Sequence, residues 1–285
     1  MIDTKNKHKY SFFVASCDGF SDTWDIYFLL YKKYFRDGGV PLYLSTDTKD
    51  YLHPELHINI IKTGLNGRLT WSDSMIYSLG QIESEYVLLT MDDFFITGTV
   101  NTEIIESACR VLDDHKNIVC INLSHSGPRQ LEDSFNSEFA LVNQYSKYKV
   151  STHPALWRKS YLLQLIVPQE NAWMFEIFGT KRSHLSDDVF LRTKSIQHPP
   201  FETIWETGII KGKWNKEVVT LFDKEKIVVN YDIRSFYSVE NTFKNRFNTL
   251  KKLSSNPASI VYYLMVVPIF VMFKKLFMPS RLRTN

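Results

Sequence analysis

Glu85-Tyr86-Val87-Leu88-Leu89-Thr90-Met91-Asp92-Asp93-Phe94-Phe95-Ile96 is the stretch that decides how this chain folds. Tyr86 to Leu89, with Met91 beyond Thr90, make the near-continuous apolar run of a strand buried on both faces of an α/β sheet. The run ends in two adjacent carboxylates, Asp92 and Asp93. In open α/β sheets ligands bind beyond the carboxyl ends of the strands, so acids placed there face the crevice. Hard oxygen ligands at such a mouth suit Mg²⁺ or Mn²⁺, and those ions suit a diphosphate. A solvated turn or a capping pair is the alternative, because aspartate favours both.

Working outward, Tyr10 to Ser16 reads as a first strand and Cys17 to Asp22 as a turn. Thr23 to Arg36 reads as an aromatic-rich helix, and Val40 to Ser45 and His57 to Ile61 as the next two strands. This β-α-β-β opening predicts a mixed, mainly parallel sheet flanked by helices, of the nucleotide-binding type. Leu69 to Gln81 is a predicted helix, with Met75, Ile76 and Leu79 and then Ile82 at helical spacing, leading into the acidic strand. A helix from Asn101 to Asp113 and a strand from Ile118 to Leu123 follow; beyond Ser124 the pattern loosens, as where loops shape a pocket.

Two later segments concentrate functional residue types. Ser151 to Leu163 reads as a turn leading into a helix, with His153, Trp157 and Arg158 in it. In the second, Glu176 is hemmed by Trp173, Phe175 and Phe178. A carboxyl in such surroundings has a raised pKa and suits proton transfer near neutral pH. The alternative is an ordinary helix glutamate that faces water beside core aromatics.

The 285 residues are 44% hydrophobic and 23% charged, which suits one large folded domain, drawn at residues 1–255, with a short appendage at 256–285. A net charge of only +3 gives no electrostatic case for nucleic-acid binding. Cys17, Cys109 and Cys120 have no metal-ligand spacing and suggest a reducing compartment. The polar start, Met1 to Tyr10, has no secretory signal pattern, so a cytoplasmic protein is expected.

The tail changes character at Asn256-Pro257. Ser259 to Phe273 is nearly uninterrupted apolar sequence, flanked by Lys251, Lys252, Lys274, Lys275, Arg281 and Arg283. It falls short of the roughly 20 residues of a crossing. It reads as an interfacial anchor on the inner face of the membrane, its cations meeting anionic head groups. A helix packed on the protein's own core or across a dimer is the alternative.

Val14 to Asp22, Trp71-Ser72-Asp73, Tyr86 to Phe95, Pro154 to Arg158 and Trp173 to Glu176, in that order, resemble a bacterial family of GT-A-type glycosyltransferases encoded with capsule and O-antigen genes. The likeness ends near Gly212-Lys213-Trp214 and leaves out the lysine-rich tail. It implies a nucleotide-sugar donor, with base and ribose held by the loop after the first strand at Ser16 and Asp18, and the nucleoside pocket completed by Arg68 and Asp73. Asp92-Asp93 takes the place of the family's acid-x-acid motif, which binds a divalent ion bridging the donor phosphates. The pattern departs from that motif, because Met91-Asp92-Asp93 has acids only at its centre and end. One aspartate then meets the metal while the other orients ribose or acceptor.

The resemblance also implies inversion, with Glu176 as the base and Asp187 or Asp188 in reserve. Trp157 or Trp173 would stack on a sugar face of the acceptor, and Arg158 would neutralise phosphate; packing roles are the alternative for each. The expected partners are a nucleotide sugar, a lipid-linked oligosaccharide acceptor and the membrane surface. Two other readings stay open: transfer of a CMP-linked phosphonate or polyol phosphate on the same fold, and an inactive scaffold docked at the membrane.

Overall fold

A computed structural model describes residues 9–36, 39–64 and 70–238, together with Met265 and Ile269. Arg68 and nearly all of the appendage at 256–285 lie outside the described residues, and with them the expected anchor. Among the described residues no helix is long and apolar enough to cross a membrane.

The opening elements follow the pattern read from the sequence. β1 (Tyr10–Ala15) leads through a short 3-10 turn to α1 (Trp24–Tyr34), then β2 (Leu42–Thr46), β3 (Asn59–Lys62), α2 (Trp71–Gln81) and β4 (Tyr86–Met91). α2 starts where Thr70 and Asp73 form a reciprocal capping box. α3 (Thr102–Asp114) is capped by the Asn101 side chain and returns the chain to β5 (Ile118–Asn122). β6 (Leu131–Ser134), β7 (Phe139–Val142) and β8 (Ala155–Arg158) come next, then α4 (Lys159–Leu165).

The strands form one sheet in the order β3-β2-β1-β4-β8-β5-β9-β7-β6, with β9 at Val189–Thr193. β8 runs antiparallel to both its neighbours and β7 antiparallel to both of its own, while the other strands share one direction. The result is the expected mixed and largely parallel sheet flanked by helices.

Ala155 to Arg158 corrects one expectation: it is a strand, not a turn entering a helix. The gap between β4 and β5 is filled by pairing Val87 with Trp157 and Cys120 with Trp157, and this tertiary pairing outweighs the local turn signal of Pro154.

Along the buried central strands, side chains alternate between the two faces with the two-residue period of a pleated chain. Tyr10, Phe12 and Val14 of β1 and Tyr86 and Leu88 of β4 pack on the face covered by α1 and α3. Phe13 and Ala15, with Val87 and Leu89, pack on the opposite face against Met75 and Leu79 of α2 and Leu162 and Leu165 of α4. Burial on both faces explains why β4 reads as a solid apolar run.

Candidate active site

Asp92 and Asp93 follow β4 in a turn at the carboxyl edge of the parallel strands. Asp92 turns towards the start of α1, where its Oδ2 accepts hydrogen bonds from the Ser16 hydroxyl and, at 3.2 Å, from the Thr23 hydroxyl. Trp24 Nε1 in turn donates to Ser16 Oγ at 2.7 Å. Burial, then the neighbouring Asp93 charge, push the Asp92 carboxyl well above the usual carboxylate range.

Asp93 turns the other way. Its Oδ2 accepts from the Thr207 hydroxyl, and its Oδ1 is buried with no hydrogen-bond partner. Burial pushes this carboxyl up to about 6, against the Thr207 hydroxyl and the Arg234 charge, which draw it down. The 203–209 segment is laced under it by backbone bonds: Gly208 N–H to Asp93 O at 2.7 Å and Ile204 N–H to Phe95 O at 3.0 Å. Only glycine permits this approach, since a Cβ at Gly208 would lie 2.3 Å from Phe95 Cε2 and 3.0 Å from Asp93 O.

Glu176 comes from a helix made of α5 (Ala172–Met174), a π turn (Phe175–Gly179) and α6 (Thr180–Ser183). π turns inside helices recur at functional sites, because the wide turn re-aims a side chain. Asn171 caps the helix by accepting from Met174 N–H at 2.9 Å. Glu176 Oε1 accepts from Thr152 N–H at 2.8 Å, the Thr152 hydroxyl at 3.0 Å and the Ser151 hydroxyl at 3.4 Å. Burial raises its pKa above the ordinary glutamate value, and those hydrogen bonds oppose the rise.

Both carboxylates line one cavity of about 910 Å³. Trp173, Trp205 and Tyr148 also line it, and they are 39%, 59% and 49% exposed, so aromatic faces stay open to a ligand. His153 completes the wall: its ring lies 4.5 Å from that of Phe94, and its Nδ1 is buried without a partner. Burial drives the imidazole down to about 4, so it is neutral at physiological pH. Trp205 stacks on His125 at 4.9 Å, and His125 Nε2 is paired with Trp205 O at 2.8 Å.

No protein-family model matches the chain, and no curated protein matches it. Among solved structures, the chain is similar to residues 1–349 of S. aureus TarS, with a TM-score of 0.47 and 15% identity over 68% of this chain and 60% of that one. It spans, then, less than two thirds of that structure. The same fragment in complex with UDP-GlcNAc gives 0.46 and 15%, over 68% and 58%. CMP:2-keto-3-deoxy-manno-octonic acid synthetase complexed with CTP gives 0.45 and 13%, over 76% and 99%.

The remaining candidates are placed as follows. Asp18 and Ser16 sit at the end of β1, outside the cavity wall. Asp18 accepts from Asp47 N–H at 2.9 Å, Thr48 Oγ1 at 2.7 Å and Lys49 N–H at 3.2 Å, tying the loops after β1 and β2 together. Against desolvation, which pushes it up, these bonds hold its carboxyl below the usual range. Asp73 is engaged in the α2 cap, taking the Thr70 hydroxyl at 2.6 Å. Trp157 is fully buried in the core beside Phe190 and does not reach the cavity.

Arg158 pairs with Tyr86 at the opposite end of β4 from the acids. There it donates to Leu112 O at 2.6 Å and Ile118 O at 3.3 Å and meets Glu85 at 3.1 Å, which closes the end of α3. Asp187 and Asp188 precede β9 at its amino end and do not line the cavity. Of the acceptor candidates, only Trp173 joins Asp93 and Glu176.

The sequence reading did not single out Thr207, Trp205 or Arg234. His153 lay in a segment noted for its chemistry; the others fall where periodicity is weak. Arg234 grips Asp22 with two bonds of 2.7 Å, donates to Gly19 O, and lies 4.7 Å from the Phe20 ring. It thereby ties the turn after β1 to the segment that follows α7 (Glu217–Glu225).

Proposed function

We propose that this protein is a glycosyltransferase that moves a sugar from a nucleotide-sugar donor to a saccharide acceptor. The observation that carries the reading is the placing of Glu176 and Asp93 on one cavity, each with one oxygen anchored by the chain. Glu176 takes the proton of the acceptor hydroxyl as that oxygen bonds to the anomeric carbon. The bond from that carbon to the donor phosphate oxygen breaks, its electron pair leaving with the diphosphate. The Thr152 and Ser151 donors hold Glu176 in one orientation, and His153, neutral, offers the same cavity a hydrogen-bonding ring.

Asp93 Oδ1, buried and without a hydrogen-bond partner among the described residues, would hold a divalent ion. No group of three or more His, Cys, Asp or Glu converges among the described residues, so the chain supplies few ligands of its own. When bound, Mn²⁺ or Mg²⁺ would neutralise the departing diphosphate. Donor base and ribose are read on the β1–β2 side of Asp93, near Ser16, Asp18 and Asp73, with the acceptor in the cavity beside Trp173; Arg68 stays a donor-binding candidate from the sequence alone.

The cationic, apolar sequence after Asn256 supports a lipid-linked acceptor at the inner membrane face, in surface-polysaccharide assembly of the capsule or O-antigen kind. The test is donor turnover with Mn²⁺ across UDP-, GDP- and CMP-linked donors, in wild type, Asp93→Ala and Glu176→Ala. Turnover lost in both variants supports the reading. Equal turnover in all three proteins, or none in any, contradicts it.

A further inference from the structure

We propose that the saccharide received by this cavity is anionic, its charged group seated at Arg129 and Lys147; this rests on the acceptor reading above. Asp93, buried, and Glu176, half-buried, line the cavity, and among its exposed lining residues three cations, Arg129, Lys147 and Lys211, outnumber the one carboxylate, Glu206. Among the described residues neither Arg129 nor Lys147 has an ion-pair partner, and both are exposed. The two loops that carry them are joined where Asn143 N–H donates to Gln130 O at 2.9 Å, so the charges extend from one ribbon end.

A buried charge reinforces them from behind. Arg192 is 2% exposed and donates to Pro128 O at 2.6 Å, to Ser124 O at 3.4 Å and to His125 O, and among the described residues it has no ion pair with a carboxylate. Its hydrogen bonds are largely met by carbonyls, but its charge is uncompensated, and buried charges are ordinarily paired. Burial and then the Arg129 charge lower the Arg192 pKa, which places the two cations within electrostatic reach. A positive field therefore surrounds the loop that carries Ser126 and Gly127 into the cavity.

Tyr148 adds a geometric sign. It is held at φ 52°, a left-handed conformation that is uncommon for an aromatic residue, and it stands exposed on the rim beside Lys147. A sugar ring laid on Tyr148 or Trp205 would bring a carboxylate or phosphate substituent to the two cations and leave a hydroxyl for Glu176.

The test uses the full chain and its tryptophan fluorescence, since Trp173 and Trp205 line the cavity. Three probes are titrated: a hexasaccharide with alternating uronic acid, a phosphate-bearing hexasaccharide and a neutral glucan hexasaccharide. The expected result is about tenfold tighter binding of at least one anionic probe at about 50 mM salt, a gap that closes near 500 mM. Comparing the carboxylate and phosphate probes identifies which anion is preferred. A double variant, Arg129→Glu with Lys147→Glu, should lose the preference and keep both its melting temperature and its neutral-probe affinity. Equal binding of the neutral probe, a preference retained in the double variant, or displacement of the anionic probe by UDP alone would overturn the proposal. Anionic preference without turnover of any donor would sink the transferase reading and leave this inference standing. Transfer to neutral and anionic acceptors alike would do the reverse.

Discussion

Asp92 and Asp93 are adjacent in the chain, yet just beyond β4 their carboxylates take different partners: Asp92 is bound by Ser16 and Thr23, and Asp93 by Thr207. The two groups feel each other's charge but have separate anchors. One is built into the seam between β1, β4 and α1, and the other is presented to a cavity.

Substitution separates them. Asp92→Ala removes the acceptor shared by the Ser16 and Thr23 hydroxyls, which keep Cys17 O at 3.3 Å and Phe20 O at 2.7 Å, and should lower stability by about 1 kcal/mol, whereas Asp92→Asn keeps the acceptor and most of the stability. Asp93→Asn should act in the opposite sense. The folded pKa, about 6, is raised above the ordinary value of 3.8, so stability falls as pH climbs from that ordinary value to about 6 and is level above it. The variant should gain about 3 kcal/mol at pH 7.5 and nothing near pH 4, while donor turnover collapses. Thermal melts at the two pH values, paired with turnover, check both.

His153 predicts a pH dependence of stability. Its folded pKa of about 4 lies below the ordinary imidazole value, so the unfolded chain takes up the proton first as pH falls. Stability should therefore drop by about 3 kcal/mol between pH 6.5 and 4, and His153→Phe should flatten that part of the profile. Urea unfolding across that interval reads it directly.

How far the sequence discloses this site depends on the residue. The buried runs of β1 and β4, the helix α2 and the position of Asp92-Asp93 at the end of β4 follow from local pattern, because buried parallel strands and amphipathic helices are written in neighbouring residues. Trp157 and Arg158 mislead, because their strand exists only through pairing with β4 and β5, distant in sequence. Thr207 and Gly208 were invisible for the same reason: their role is set by a backbone contact with Asp93, in a segment without periodicity. Glu176 was legible from its aromatic neighbours, but its π turn was not.

Arg158 should prove a structural clamp. Arg158→Met unpairs the carbonyls of Leu112 and Ile118 and should cost about 2 kcal/mol of stability, with KM for donor and acceptor unchanged in the folded fraction. A selective rise in KM would return it to the site.

Gly208→Ala should disturb Asp93 without removing it. The added methyl meets Phe95 and the Asp93 carbonyl, so the 203–209 segment must shift and carry Thr207 with it. A fall in turnover of at least tenfold, with donor affinity reduced, is the expected result in steady-state kinetics.

The most direct test of the account is sugar transfer by Glu176→Gln. Glutamine preserves the shape and the oxygen that accepts from Thr152 and Ser151, and removes only the ability to take a proton. Transfer to the acceptor should fall by about 10² to 10⁴ with melting temperature and donor affinity unchanged, and the wild-type rate should show an acidic limb above the ordinary glutamate pKa that the variant lacks. A variant that transfers sugar at the wild-type rate, with the same pH profile, would contradict it.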